Sequence, residues 1–124
     1  MLEHDVIIIG GGLAGSRAAV AIAQNYPNLN LALISKVHPI RSHSIAAQGG
    51  IAAALKNVDA HDDWITHAFD TVKGSDYLAD QNAVEILTKS AAEVIIDLEH
   101  LGVLFSRAED GRIAQRAFGG HTNR

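Results

Sequence analysis

Residues 5–15 read Asp5-Val6-Ile7-Ile8-Ile9-Gly10-Gly11-Gly12-Leu13-Ala14-Gly15, and the fold turns on this run. Asp5 to Ile9 is short and rich in β-branched side chains, which predicts a strand buried on both faces of a parallel sheet. The strand runs straight into glycine. Beyond Gly15, Ser16 to Gln24 is alanine-rich and free of Gly and Pro, which predicts a helix with one buried face. Asn25-Tyr26-Pro27-Asn28 ends that helix, because proline cannot continue it and disfavours the α region in the residue before. Leu31-Ala32-Leu33-Ile34-Ser35 then reads as a second strand. Strand, helix and strand within about 30 residues make a βαβ crossover between parallel neighbours.

Composition narrows the classes. The chain has 124 residues, no cysteine, 14 acidic and 10 basic side chains, and a formal net charge of −4. Without cysteine there is no disulfide scaffold, thiol catalysis, zinc ribbon or iron–sulfur cluster ligated by these residues, and a reducing compartment fits. A mild acidic balance without Lys/Arg blocks argues against nucleic acid or an anionic membrane surface as the main partner. An apolar fraction of 48% with 19% charged residues is ordinary for a globular core. The longest apolar runs, Ala18–Ala23 and Ile51–Leu55, fall far short of the ~18 residues of a membrane span. No basic-then-apolar signal segment precedes the first strand.

Gly10-x-Gly12-x-x-Gly15 between a predicted strand and a predicted helix is a dinucleotide-binding fingerprint. Its glycines serve a tight turn, close backbone approach to a pyrophosphate, and close helix–strand packing. The helix amino terminus, with Leu13, Ala14 and Gly15 in the turn before it, offers N–H groups and a positive dipole end to phosphate. The plainer alternative is a strand-to-helix turn with no ligand. The acidic residue expected about 20 positions on, for a ribose hydroxyl, is missing: Ser35 and Lys36 stand there. A serine hydroxyl can bond a ribose and a lysine suits a 2′-phosphate, so these residues leave FAD and NADP both open.

Further along, Lys36 to Ser44 is a polar stretch with Pro39, predicted as a loop leaving the carboxyl end of the second strand. Ile45–Leu55 is apolar and broken by Gln48-Gly49-Gly50; its periodicity does not choose between helix and strand. Asp62 to Lys73 reads as a helix with Trp64, Ile65, Ala68, Phe69 and Val72 on one face and Gly74 as its stop. Asp80 caps a longer helix whose apolar positions are Val84, Leu87, Ala91, Val94, Ile95 and Leu98, ending at Gly102. After it, Glu109-Asp110-Gly111 predicts a turn between extended pieces.

Arg41-Ser42-His43-Ser44-Ile45-Ala46-Ala47-Gln48-Gly49-Gly50 resembles the flavoprotein subunit of succinate dehydrogenase and fumarate reductase. So do Asp70 to Gln81, Leu98 to Gly102, Phe105-Ser106-Arg107 with Glu109-Asp110-Gly111, and Gln115-Arg116-Ala117-Phe118-Gly119-Gly120, in order and at the family's spacing. The resemblance covers essentially the whole chain. It implies an α/β fold, a Rossmann-like FAD-binding βαβ unit with following helices, as part of a larger FAD-binding domain. It implies FAD bound covalently through the imidazole of His43 to the 8α-methyl carbon, chemistry that needs a neutral ring nitrogen. It implies that Arg41, Ser42, Ser44, Gln48, Gly49 and Gly50 line the flavin, that Ser35 and Lys36 serve the adenosine side, and that Phe118 and Gly119 lie beside a dicarboxylate.

The family interconverts succinate and fumarate by hydride transfer between substrate carbon and flavin N5, with an arginine handling the proton, so positioning around the cofactor dominates. The resemblance places no catalytic residue of that kind within residues 1–124, nor the capping and carboxyl-terminal domains. The chain is therefore expected to be an amino-terminal part of an incomplete FAD-binding domain. The partners implied are an iron–sulfur protein subunit and, indirectly, a membrane anchor, which would hold the protein peripherally on the cytoplasmic face of the inner membrane. His4, His38, His61, His67, His100 and His121 lack a metal-ligand spacing and read mostly as surface residues, so no metal is expected. Arg107, Arg112 and Arg116 read as solvated. Alternatives are an L-aspartate oxidase-type FAD enzyme, favoured by Gly119-Gly120-His121-Thr122 and opposed by His43, an NADP-using reductase, and a non-catalytic dinucleotide-binding module.

Overall fold

The computed structural model describes residues 2–47 and 50–122. The chain divides into two units, Met1–Gly50 and Ile51–Arg124. In the first, β1 (Val6–Ile9), α1 (Leu13–Asn25) and β2 (Leu31–Ile34) form the crossover read from the sequence. The strands pair in parallel with Val6 opposite Leu31 and Ile9 opposite Ile34. Gly10 N–H carries the ladder one step further, donating to the Ile34 carbonyl at 2.7 Å. At the other end the Asp5 carboxylate accepts from Asn30 N–H at 2.8 Å, and Asp5 N–H donates to the Asn30 carbonyl at 2.9 Å.

Two expectations about this unit are corrected. The helix starts at Leu13 rather than Ser16, because Gly12 takes an extended conformation (φ −80°, ψ −170°) and serves as N-cap. Glycine tolerates that position nearly as well as the polar caps, so Leu13-Ala14-Gly15 is already helix. Burial of β1 on both faces is not observed. Val6 and Ile8 are half-buried, whereas Ile7 and Ile9 are exposed, Ile9 at 86%. Successive strand side chains point to opposite faces, and among the described residues of this unit only α1 packs on the strands.

In the second unit, α3 (Trp64–Gly74) and α4 (Gln81–His100) pack side by side. Both start on an aspartate. Asp63 accepts from Thr66 N–H at 2.7 Å, a bond that holds its carboxyl below the usual range, and Asp80 accepts from Asn82 and Ala83 N–H. α4 ends in a Schellman motif: Gly102 N–H bonds the Glu99 carbonyl and Val103 N–H the Leu98 carbonyl, with Gly102 at φ +99°. Between the helices, Asp76 and Tyr77 both sit in the left-handed region, which L side chains seldom adopt.

The buried faces differ from the expected ones. α4 buries Val84, Thr88 and Ile95 while Leu87 and Val94 are exposed; α3 buries His67 and Asp70 while Ile65 and Phe69 are exposed. A single neighbouring helix shields only a narrow seam. Thr88 can lie in it, 2% exposed, because its hydroxyl donates to the Val84 carbonyl at 2.9 Å. His67, one of the six histidines read mostly as surface residues, is buried. The expected turn at Glu109-Asp110-Gly111 is present, with Gly111 at φ +82° between the bridged residues Arg107 and Ile113. Ile51–Leu55 is neither helix nor strand.

Candidate functional site

The glycine turn has the shape a bound phosphate needs. A β-carbon on Gly15 would overlap the Gly10 carbonyl oxygen, so α1 approaches the end of β1 as closely as only glycine allows. Gly10 itself sits at φ +118°. A β-carbon on Gly11 would come within 2.9 Å of the Ser35 side chain, which brings Ser35, at the end of β2, against the turn. The amino terminus of α1 carries no side-chain cap from Gly12 and no acidic residue in its first turn. Those are the conditions under which a helix end accepts an anion.

The polar stretch after β2 is more ordered than a loop. It forms a 3-10 turn at Pro39–Arg41 and then a short helix, α2 (His43–Ala46), with Ser42 between them in extended conformation. The Ser44 hydroxyl accepts from Leu13 N–H at 3.1 Å. That bond docks the His43-bearing segment on the glycine turn, and Gly12 has room for a β-carbon only 3.4 Å from the Ser44 oxygen. His43 opens α2 and is exposed, as are Lys36 and Arg41. Residues Gly10 to Gly15, Ser35, Ser42 and Ser44 are thus brought together, with His43 beside them. Gln48 and Gly49 lie outside the described residues, and Gly50 is exposed with open space where a side chain would be.

A second cluster lies within residues 51–124. Phe118 is 65% exposed, with the Arg116 guanidinium 5.8 Å from its ring centre. Phe118 opens a turn in which His121 N–H donates to the Phe118 carbonyl and Gly120 takes φ +87°. The turn leads into Thr122, whose N–H and hydroxyl donate to the two oxygens of the buried Asp70 at 2.6 and 2.8 Å. Burial alone would raise the Asp70 carboxyl; the Thr122 donors, with His121 and Lys73 nearby, outweigh it and hold the group below the usual carboxylate range. One turn earlier on α3, His67 lies with its ring centre 5.7 Å from that of His121. Burial, then His121, push the His67 imidazole down, against Asp62 and Asp70, and its Nδ1 meets no hydrogen-bond partner among the described residues.

A third group, Asn57, Asp62 and Gln115, joins the irregular stretch after Gly50 to the strand-like tail. Gln115 accepts from Asn57 N–H at 3.0 Å and donates to the Ala53 carbonyl and the buried Asp62; Asn57 donates to the Ile113 carbonyl. Sequence reading missed Asp62, Asp70, Thr122 and Gln115 as organising residues. Their partners lie more than fifty positions away, so no local spacing marks them. No group of three or more metal-ligating side chains occurs among the described residues.

The sequence matches the FAD binding domain family over residues 5–124. The chain belongs to that family. This FAD binding domain is 58% identical over 120 residues to the succinate dehydrogenase flavoprotein subunit of Rickettsia bellii, covering 97% of the chain and 20% of that protein. It is 49% identical over 118 residues to the fumarate reductase flavoprotein subunit of Mycobacterium tuberculosis, covering 95% and 20%. Among solved structures it superposes on the Mycobacterium smegmatis Sdh1 complex in the apo form with a TM-score of 0.89 at 38% identity, covering 97% of the chain and 20% of that one. The chain spans about a fifth of the length of the curated relatives it matches. The geometry fits FAD: a helix end with no acidic residue in its first turn, no room for a side chain at Gly15, and a hydroxyl at Ser35 where the usual acid is absent.

Proposed function

We propose that this FAD binding domain is the amino-terminal part of a flavoprotein subunit, an enzyme that interconverts succinate and fumarate. The observation that carries the reading is the Ser44 to Leu13 bond, which holds the His43 segment against the glycine turn. FAD, when bound, supplies the hydride acceptor for succinate and the hydride donor for fumarate. Gly10 to Gly15 and the open end of α1 hold its pyrophosphate, and Ser35 and Lys36 serve its adenosine half. His43, exposed at the head of α2, presents a ring nitrogen for the covalent link; Arg41, Ser42, Ser44, Gln48, Gly49 and Gly50 complete the flavin side. Phe118 and Gly119 border the dicarboxylate, where an apolar ring excludes water from the reacting carbons. The proton-handling residue is expected outside residues 1–124.

Residues 1–124 contain no cysteine and so ligate no iron–sulfur cluster themselves, and similarity to the Mycobacterium smegmatis Sdh1 complex supports an electron-accepting partner. We therefore assign it an iron–sulfur partner subunit and, through that, a membrane anchor on the cytoplasmic face of the inner membrane. No helix among the described residues is long and apolar enough to cross a membrane.

The test is anaerobic addition of succinate to the purified flavoprotein. The expected result is bleaching of the flavin absorbance, restored by fumarate. Bleaching by L-aspartate but not succinate would replace this reading with that of an aspartate oxidase.

A further inference from the structure

The turn Phe118-Gly119-Gly120-His121 has little to hold it in place by itself. Phe118 and both glycines are exposed, a β-carbon on Gly119 or Gly120 would meet nothing, and one backbone bond closes the turn at 3.3 Å. Such a segment has many conformations of similar energy, yet a ring that covers a substrate must be presented in one of them. The restraint comes from α3. Asp70 is 7% exposed, and each of its carboxylate oxygens takes one Thr122 donor, one from the backbone and one from the side chain. The pair fixes both the position and the rotation of the chain immediately after the turn. Hydrogen bonds to a charged acceptor are the stronger kind, and burial keeps water from competing. His67, three residues before Asp70 on the same helix, meets His121 and adds a second contact to the same segment.

We propose that Asp70 is a positioning residue of the dicarboxylate site: its carboxylate clamps Thr122 and so fixes the turn that presents Phe118. The inference rests on the reading of Phe118 given under Proposed function and adds the residue that makes Phe118 effective. Asp70 touches neither substrate nor cofactor in this role. Asp70, Thr122 and the turn all lie within residues 51–124.

The experiment uses the flavoprotein expressed from its own gene and purified with its flavin, and compares Asp70→Asn, Thr122→Val, Thr122→Ser, Phe118→Ala and the double variant Asp70→Asn/Phe118→Ala. Asparagine keeps one acceptor oxygen and loses the charge. The expected result for Asp70→Asn is a KM for succinate raised about tenfold, with kcat changed by less than about twofold and flavin content unchanged. Thr122→Ser, which keeps both donors, gives a smaller rise than Thr122→Val. In the Phe118→Ala background Asp70→Asn adds no further loss, because both act through the same ring.

An unchanged KM in Asp70→Asn, with Phe118→Ala impaired, overturns the clamp alone. An Asp70→Asn effect that persists in full without the Phe118 ring overturns it too. An unchanged KM in Phe118→Ala removes the reading of that turn as part of the dicarboxylate site, and the clamp's role with it. Should Asp70→Asn fail to fold, equal KM values for Thr122→Val and Thr122→Ser overturn the proposal.

Discussion

Gly15 shows how one missing side chain joins fold to function. Alanine there would drive its β-carbon into the Gly10 carbonyl, and the only relief is to move α1 off the strand end. Gly15→Ala is expected to destabilise the protein by about 1–3 kcal/mol and to lower its flavin content, read by thermal unfolding and by flavin absorbance per polypeptide. This residue was legible in the sequence, because the strand before it and the helix after it give the glycine spacing its meaning. His67 was not. A histidine on a helix face carries no mark of burial, and it is buried here because the 118–122 segment folds back against α3. Its imidazole is held below its usual value of 6.5, so the unfolded chain takes up a proton that the folded one resists. Stability is therefore expected to be intact above that value and to fall as pH drops below it. His67→Gln should flatten this limb in denaturant titrations at several pH values; an identical pH dependence in the variant would show that another group is responsible.

Among the elements, the ends were easier to read than the faces. Asp80 and Gly102 bracket α4 as their chemistry demands: an acceptor for the first free N–H groups, and a residue that tolerates φ +99° after the last turn. Asp80→Ala and Gly102→Ala are each expected to cost about 1 kcal/mol, seen as a lower denaturation midpoint at unchanged slope. The buried stripe was harder. Leu87 and Val94 fit the helical period as well as Val84 and Ile95, but periodicity says which residues share a face and not how much of that face a neighbour covers. The stretch from Pro39 to Ala46 hid its helices because each is a single turn, too short for any period. Its docking depends on one hydroxyl, that of Ser44. Ser44→Ala should loosen His43 and lower the fraction of covalently held flavin, measured after acid precipitation; an unaltered fraction would mean that the flavin itself orders this segment.

For the whole molecule, the buried large apolar side chains among the described residues are Val84, Ile95 and Ile113, while Ile9, Leu78 and Leu104 stand more than four-fifths exposed. Burial on that scale offsets little conformational entropy. The 124-residue chain on its own is expected to bind an apolar dye, to melt without a sharp transition and to hold no flavin; a cooperative melt with bound FAD would contradict this. The crossover was legible because it is local, and the motifs on which the proposed function rests are local too. What joins the distant segments, Asp70 to Thr122 and Gln115 to Asp62, was not.

The central claim is that these residues build a flavin site closed by His43. A denaturing gel of the purified full-length protein, viewed under ultraviolet light beside its His43→Ala variant, tests it most directly. The expected result is a fluorescent parent band and a dark variant band. A dark parent band, with its flavin released on denaturation, would contradict the account.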